Sequence, residues 1–185
     1  MDPIARVNYR NARAPGMWRC ISARVDFNGK SVIDFGCGYG DFAELCRLSD
    51  ADSVICVDKD EEVIQHLRGR FLGSPVVKVL QRDIETIKLQ HYDIGFCFSV
   101  LPYLEDPDRL LERMANRCSV SFIECQYYKD GPGPAFLKDD TEMEWWLRSA
   151  GFESIESIGH TVVDYRNAKR TIWMCSQQKS STDCT

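Results

Sequence analysis

The stretch Ser31 to Leu48, SVIDFGCGYGDFAELCRL, constrains the fold more than any other part of the chain. Val32 to Phe35 is a short apolar run that reads as a buried parallel strand. A tight turn follows, carrying Gly36, Gly38 and Gly40. Asp41 to Leu48 then places Phe42, Leu45 and Cys46 at helical spacing. Strand, glycine-rich turn and helix together form the build of a nucleotide-type ligand site in an open α/β sheet. Glycine lets the backbone adopt unusual φ angles and lets a ligand approach closely. The first N–H groups of the helix stay free to donate.

Two acids narrow the reading. Asp34 lies inside the strand, where an isolated carboxylate is costly. It is therefore expected to accept N–H bonds from the loop or to contact the ligand. Asp58 closes a second apolar run, Val54 to Val57, and its carboxylate can accept both hydroxyls of a ribose. Dinucleotide folds also place an acid there but space their glycines G-x-G-x-x-G. This turn reads G-x-G-x-G, and the chain has no G-x-x-x-x-G-K-[ST] phosphate loop.

The motifs resemble those of a known family. DFGCGYG followed by VICVDKD is similar to the glycine motif and the next acidic motif of class I S-adenosylmethionine-dependent methyltransferases. VLQRDI and YDIGFCFSVLPYLEDP resemble the two family motifs that follow. The similarity covers residues 30 to 125 well and the rest loosely. It implies an α/β, doubly wound, seven-stranded and mostly parallel sheet in the order 3-2-1-4-5-7-6, strand 7 antiparallel, with helices on both faces. It implies S-adenosylmethionine as cofactor and methyl transfer as the reaction.

The resemblance also suggests roles. Gly36, Cys37, Gly38 and Gly40 form the cofactor loop, with the Cys37 backbone mattering more than its sulfur. Asp83 matches the family acid or amide that meets the adenine amino group, and the Ile84 N–H is placed to meet a ring nitrogen. A turn cap competes for Asp83. Lys59 lies over the adenine or faces solvent. Ser99 follows the fourth strand, where cofactor and acceptor meet. Arg19 is a candidate for the carboxylate of the methionine part.

Length bounds the chain at 185 residues to one domain with room for a real core. Lys+Arg number 23 against Asp+Glu 28, a formal charge of −5, which gives no general pull toward nucleic acid or an anionic membrane. The 9 cysteines include Cys56 and Cys97 inside core strands, which suggests thiols used as small apolar residues in a reducing, cytoplasmic compartment. Zinc is the alternative for so many cysteines, but no C-x-x-C pair occurs and no metal site is expected. No signal peptide and no membrane-length apolar run is seen.

Taken in order, residues 1–14 read as an irregular, locally basic segment, either frayed or folded as a flap that brings Tyr9 to a ligand. Residues 15–176 read as the single cofactor-binding domain, opening on a helix from Pro15 to Val25 with Trp18, Ile21 and Val25 inward. Ile84 to Gln90 is too short for a full crossover helix. Cys118 to Cys125 reads as the fifth strand, and Thr141 to Ala150 as a helix with Thr141 and Glu144 resembling a capping box. Phe152 to Asp164 and Arg170 to Ser176 fit a hairpin, and residues 177–185 a disordered tail.

The acceptor side is expected where the fourth and fifth strands end. Tyr103 and Glu124 are the catalytic candidates, with Tyr9, Tyr103, Glu124, Tyr127 and Tyr128 contacting substrate. Glu124 either binds a cationic or hydroxyl group, takes a proton, or caps loop N–H groups. The Asn-Pro-Pro-Tyr type signature of amide and nucleobase amine methylation is absent after the fourth strand. A small-molecule acceptor is the first expectation, nucleic acid being unlikely on charge. An RNA or protein acceptor docked on the basic N-terminal stretch is the alternative. A non-catalytic domain that keeps the fold for assembly, or a nicotinamide-dependent oxidoreductase, stands behind these.

Overall fold

The computed structural model describes residues 3–125, 137, 139–163 and 168–177. Seven strands form one sheet: β1 (Ser31–Phe35), β2 (Ser53–Asp58), β3 (Val77–Gln81), β4 (Tyr92–Phe98), β5 (Cys118–Glu124), β6 (Ser154–Val163) and β7 (Ala168–Ser176). Their order is β3-β2-β1-β4-β5-β7-β6. Each pair from β3 to β5 is parallel, and β7 runs antiparallel to both β5 and β6. This is the topology that the sequence resemblance implied.

The central strands are apolar on both faces because helices cover both. On one side α1 (Pro3–Ser22), α2 (Asp41–Leu48) and α3 (Glu61–Arg70) bury Met17, Ile21, Ala43, Cys46, Ile64 and Leu67. On the other, α4 (Pro107–Arg117) and α5 (Asp140–Ser149) bury Leu110, Leu111, Met114, Met143 and Leu147. Fully burying one such side chain stabilises the fold by roughly 1.5–3 kcal/mol before entropy is counted. Phe96 on β4 anchors the first layer, within aromatic contact of Phe27, Phe42, Phe98 and Phe122.

Side-chain caps start three helices. Asp60 accepts from the Glu62 and Val63 N–H groups at α3, and Asp106 from the Arg109 N–H at α4, where Pro107 fills the first position. At α5 the cap is Asp139, which accepts from the Thr141 and Glu142 N–H groups. The capping box expected from Thr141 and Glu144 is therefore displaced by two residues. Glu144 instead pairs with Arg148 one turn on.

The N-terminal reading is also corrected. α1 is continuous from Pro3 to Ser22 with Pro15 inside it, so residues 3–14 are helical and not irregular. Proline costs a helix about 3 kcal/mol in its interior, and tertiary packing outweighs that here. Ala14, Met17 and Ile21 form the buried stripe. The helix stops at Ser22, so Val25 lies beyond it, and Trp18 is half-buried against Phe27 with ring centroids 4.6 Å apart. Between β3 and β4 no helix forms, only a turn at residues 84–86. β5 ends at Glu124, one residue earlier than expected. No helix among the described residues is long and apolar enough to cross a membrane.

Candidate functional site

The carboxyl ends of β1 to β4 converge on a cavity of about 210 Å³. Gly36, Asp58, Lys59, Asp83, Ile84, Ser99 and Tyr103, all singled out in the sequence, line it. Arg82, Val100 and Leu104 complete the wall. Each stands at or beyond a strand end, which is where open α/β sheets bind ligands.

The glycine turn is held open from β2. The Gly36 and Cys37 N–H groups donate to the Val57 carbonyl, and the Gly38 N–H donates to Asp58 Oδ2 at 3.3 Å. Asp58 Oδ1 accepts from the Asp60 N–H at 3.0 Å. A carboxylate offers about four lone-pair sites, so Asp58 keeps capacity for two ligand hydroxyls while it braces the loop. Gly36 has φ +67, and a Cβ there would meet Val100 Cγ2 at 2.5 Å. Gly40, with φ +79, is boxed by Leu67 and Phe71. Gly38 faces open space. The three glycines thus serve different ends: close packing at the first and third, room beside the loop at the second.

Asp34 behaves differently from the expectation that loop N–H groups would satisfy it. Those groups are spent on Val57 and Asp58. Asp34 is 3% exposed, and its Oδ2 has no hydrogen-bond partner among the described residues. Burial, followed by the nearby Asp58 charge, pushes its carboxyl up to about 7, against a lowering pull from Arg13. The proton that burial favours leaves the carboxyl neutral and lowers the cost of that unpartnered oxygen.

Asp83 caps the turn through one oxygen, which accepts from the Glu85 N–H at 2.9 Å, while the residue also lines the cavity. Asp83 thus caps the turn, as one reading has it, and also stands on the cavity wall. Contact with Cys56 and then burial hold the Cys37 thiol far above its ordinary range, so its sulfur is a packing group. Tyr103, 70% exposed, ends a single 3-10 turn, Leu101–Tyr103, at the cavity lip.

A charged cluster stands where β4 and β5 end, the place expected for the acceptor. Glu124 is 0% exposed. Its Oε2 accepts from Arg13 Nη2 at 2.7 Å and from the Ser99 hydroxyl at 2.8 Å, and its Oε1 accepts from Arg170 Nη1 at 3.2 Å. Ser99 Oγ also accepts from Arg13 Nη2 at 2.9 Å and from Arg170 Nη1. Ser99 has φ +59, a left-handed backbone that costs a non-glycine residue roughly 1–2 kcal/mol. Its N–H donates to the Glu124 carbonyl at 2.8 Å. The cluster thus holds Ser99 in a strained conformation at the cavity wall.

Arg19 is not brought to this site. It is exposed, on the face of α1 turned away from the Ala14–Met17–Ile21 stripe. Tyr9 lies on α1, but its side chain is outside the described residues, as are Tyr127 and Tyr128. Arg13 and Arg170 carry the cluster, and neither was assigned a role from the sequence. No local signal marks them, because their partner lies far along the chain.

A family model described as a methyltransferase domain matches residues 33–119. A tRNA U34 carboxymethyltransferase of Pseudomonas paraeruginosa is 25% identical over 183 residues, covering 88% of this chain. The chain spans 57% of that relative's length. Among solved structures, the magnesium protoporphyrin IX methyltransferase of Synechocystis with bound S-adenosylmethionine superposes with a TM-score of 0.72 at 18% identity. That match covers 89% of this chain and 78% of the other. A Haloferax volcanii methyltransferase in complex with the Trm112 activator gives a TM-score of 0.74 at 14% identity, covering 94% and 93%.

Proposed function

From a chain with the class I, Rossmann-like S-adenosylmethionine-dependent methyltransferase fold, we propose that it transfers a methyl or carboxymethyl group from an S-adenosylmethionine-type cofactor to an RNA nucleoside. The observation that carries the RNA reading is the alignment, along 88% of this chain, with tRNA-modifying relatives. Net charge and size had put a small-molecule acceptor first. A charge of −5 over the whole chain says little, however, about one local docking face.

The residues present suit the cofactor. Asp58 has acceptor capacity for ribose hydroxyls, Asp83 and Ile84 line the same cavity and are assigned the adenine edge, and the open space at Gly38 leaves room for a ligand along the loop. S-adenosylmethionine supplies an activated alkyl group on a sulfonium, so the protein's task is chiefly placement and exclusion of water. The Arg13–Glu124–Arg170 cluster fixes Ser99 at the junction of cofactor and acceptor. In this reading Glu124 orders two guanidinium groups and is a positioning residue, and Tyr103 offers its exposed ring to the acceptor base.

The test incubates the protein with S-adenosylmethionine, radiolabelled on the methyl group, and bulk tRNA, and separately with carboxylated donor. Digested nucleosides are then separated by mass spectrometry. Label in one modified nucleoside is the expected result. Label only in a small-molecule acceptor panel would overturn the RNA assignment and leave the methyltransferase fold untouched.

A further inference from the structure

α4 carries arginines at 109, 113 and 117, one above the other at i, i+4 and i+8. They span about 12 Å of helix. Facing them is the segment 85–89, which descends between β3 and β4 and contributes Lys88. The two elements enclose a groove of about 770 Å³ whose charged lining is Lys88, Arg109, Arg113 and Arg117 against Glu85 and Glu112.

The four cations differ in what they do for the fold. Arg113 is half-buried and donates to the Ile84 and Glu85 carbonyls at 2.9 Å and to the Ile87 carbonyl, so it pins the segment to the helix. Burial and then the neighbouring Arg109 charge hold its guanidinium below the usual range. Lys88, Arg109 and Arg117 are exposed and make no ion pair among the described residues. Like charges at i, i+4 on a helix cost a few tenths of a kcal/mol each. Packing does not account for this crowding. An anion in the groove would.

Position adds a second argument. Ile84 lines the cofactor cavity and the next residue, Glu85, lines the groove. The Asp106 N–H donates to Glu85 Oε1 at 2.6 Å, which ties the start of α4 to that junction. Arg82 and Lys59, both exposed, stand on the cavity wall beside Asp83 and Asp58. The opposite flank of α4 is acidic, with Glu105, Asp108 and Glu142 around Trp145 and Trp146. α4 thus separates a positive flank from a negative one in a chain of net charge −5. A repeating polyanion fits only the first.

We propose that the groove between α4 and segment 85–89 docks the sugar–phosphate backbone of the RNA acceptor, with Lys88, Arg109 and Arg117 as the phosphate contacts. This rests on the RNA reading above. The partner is a polyanion that reaches from the cavity down the flank, held by charge and not by base readout.

The experiment compares the full chain with the triple variant Lys88→Gln, Arg109→Gln, Arg117→Gln; Arg113 is left intact because it holds the backbone. A fluorescently labelled, mixed-sequence single-stranded RNA is titrated by anisotropy at several salt concentrations, with S-adenosylhomocysteine affinity and thermal melting as controls on folding. The variant should lose at least tenfold in RNA affinity at low salt. The slope of log affinity against log salt should flatten by about 2, three phosphate contacts at roughly 0.7 each. Equal affinity and slope in both proteins, while the parent still labels tRNA, would overturn the groove and keep the RNA reading. Absence of both RNA binding and tRNA labelling in the parent would overturn the RNA reading itself. Stronger displacement by polyglutamate than by unlabelled RNA at equal charge concentration would overturn the assignment to a nucleic-acid backbone.

Discussion

Arg13 on α1 donates to the Glu124 carboxylate at the end of β5 at 2.7 Å, joining residues 111 positions apart in the chain. Arg170 of β7 meets the other oxygen of the same carboxylate. Truncating one partner of a buried ion pair typically costs about 3–5 kcal/mol. Glu124→Leu should therefore lower the urea midpoint severely. Glu124→Gln, which keeps an acceptor oxygen for Ser99 or one arginine, should cost distinctly less. Equal midpoints for the parent and Glu124→Leu would mean that the cluster contributes nothing to stability.

Asp34 makes stability depend on pH. Its folded value is raised to about 7 from 3.8. The folded chain therefore holds a proton that the unfolded chain has already released between those values. The sign follows: the destabilisation is absent below about pH 4, grows as pH rises, and is complete above about 7. Its size is on the order of 4 kcal/mol at most. Asp34→Asn should be more stable than the parent at pH 8 and should flatten this limb of the profile. Urea unfolding at pH 5 and pH 8 measures both; a parent whose midpoint rises over that interval as steeply as the variant's would refute it.

Asp58 braces the glycine loop, and the proposed function gives it the cofactor ribose as well. Asp58→Ala removes the acceptor for the Gly38 and Asp60 N–H groups. Calorimetry should show S-adenosylhomocysteine bound at least tenfold more weakly, about 1.4 kcal/mol. The melting temperature should fall modestly, since both N–H groups can turn to water. NAD should bind neither protein. Undiminished affinity in the variant would separate Asp58 from the cofactor.

The three glycines should not respond alike to alanine. Gly38→Ala meets no atom within 4 Å and pays only for its φ of +51, roughly 1–2 kcal/mol. Its added methyl projects beside the loop, so cofactor affinity should drop more than stability. Gly40→Ala collides with Leu67 at 2.6 Å and Phe71 at 2.8 Å, so stability should drop more than in Gly38→Ala. Melting and S-adenosylhomocysteine titration of both variants decide the matter. The reverse ranking in stability would contradict these assignments.

The cofactor cavity was legible in the chain because its parts are local. A run such as Val32 to Phe35 becomes a strand by its own pattern, and whatever follows a parallel strand must stand at the active edge of the sheet. Gly36, Asp58, Asp83, Ser99 and Tyr103 each inherit their place from the strand before them, so position in sequence was enough. The charged cluster had no such rule. Arg13, Glu124 and Arg170 sit on a helix and two strands whose ends meet only once β7 has paired with β5. A carboxylate read alone looks like a free base; only the packed fold brings two guanidinium groups to it. The same holds for α1, where burial of Ala14, Met17 and Ile21 carries a helix through Pro15 against its local preference. Local pattern determined which residues line the cavity. Long-range packing decided how the charges beside it are neutralised, because ion pairing depends on distances in space that no spacing along the chain encodes.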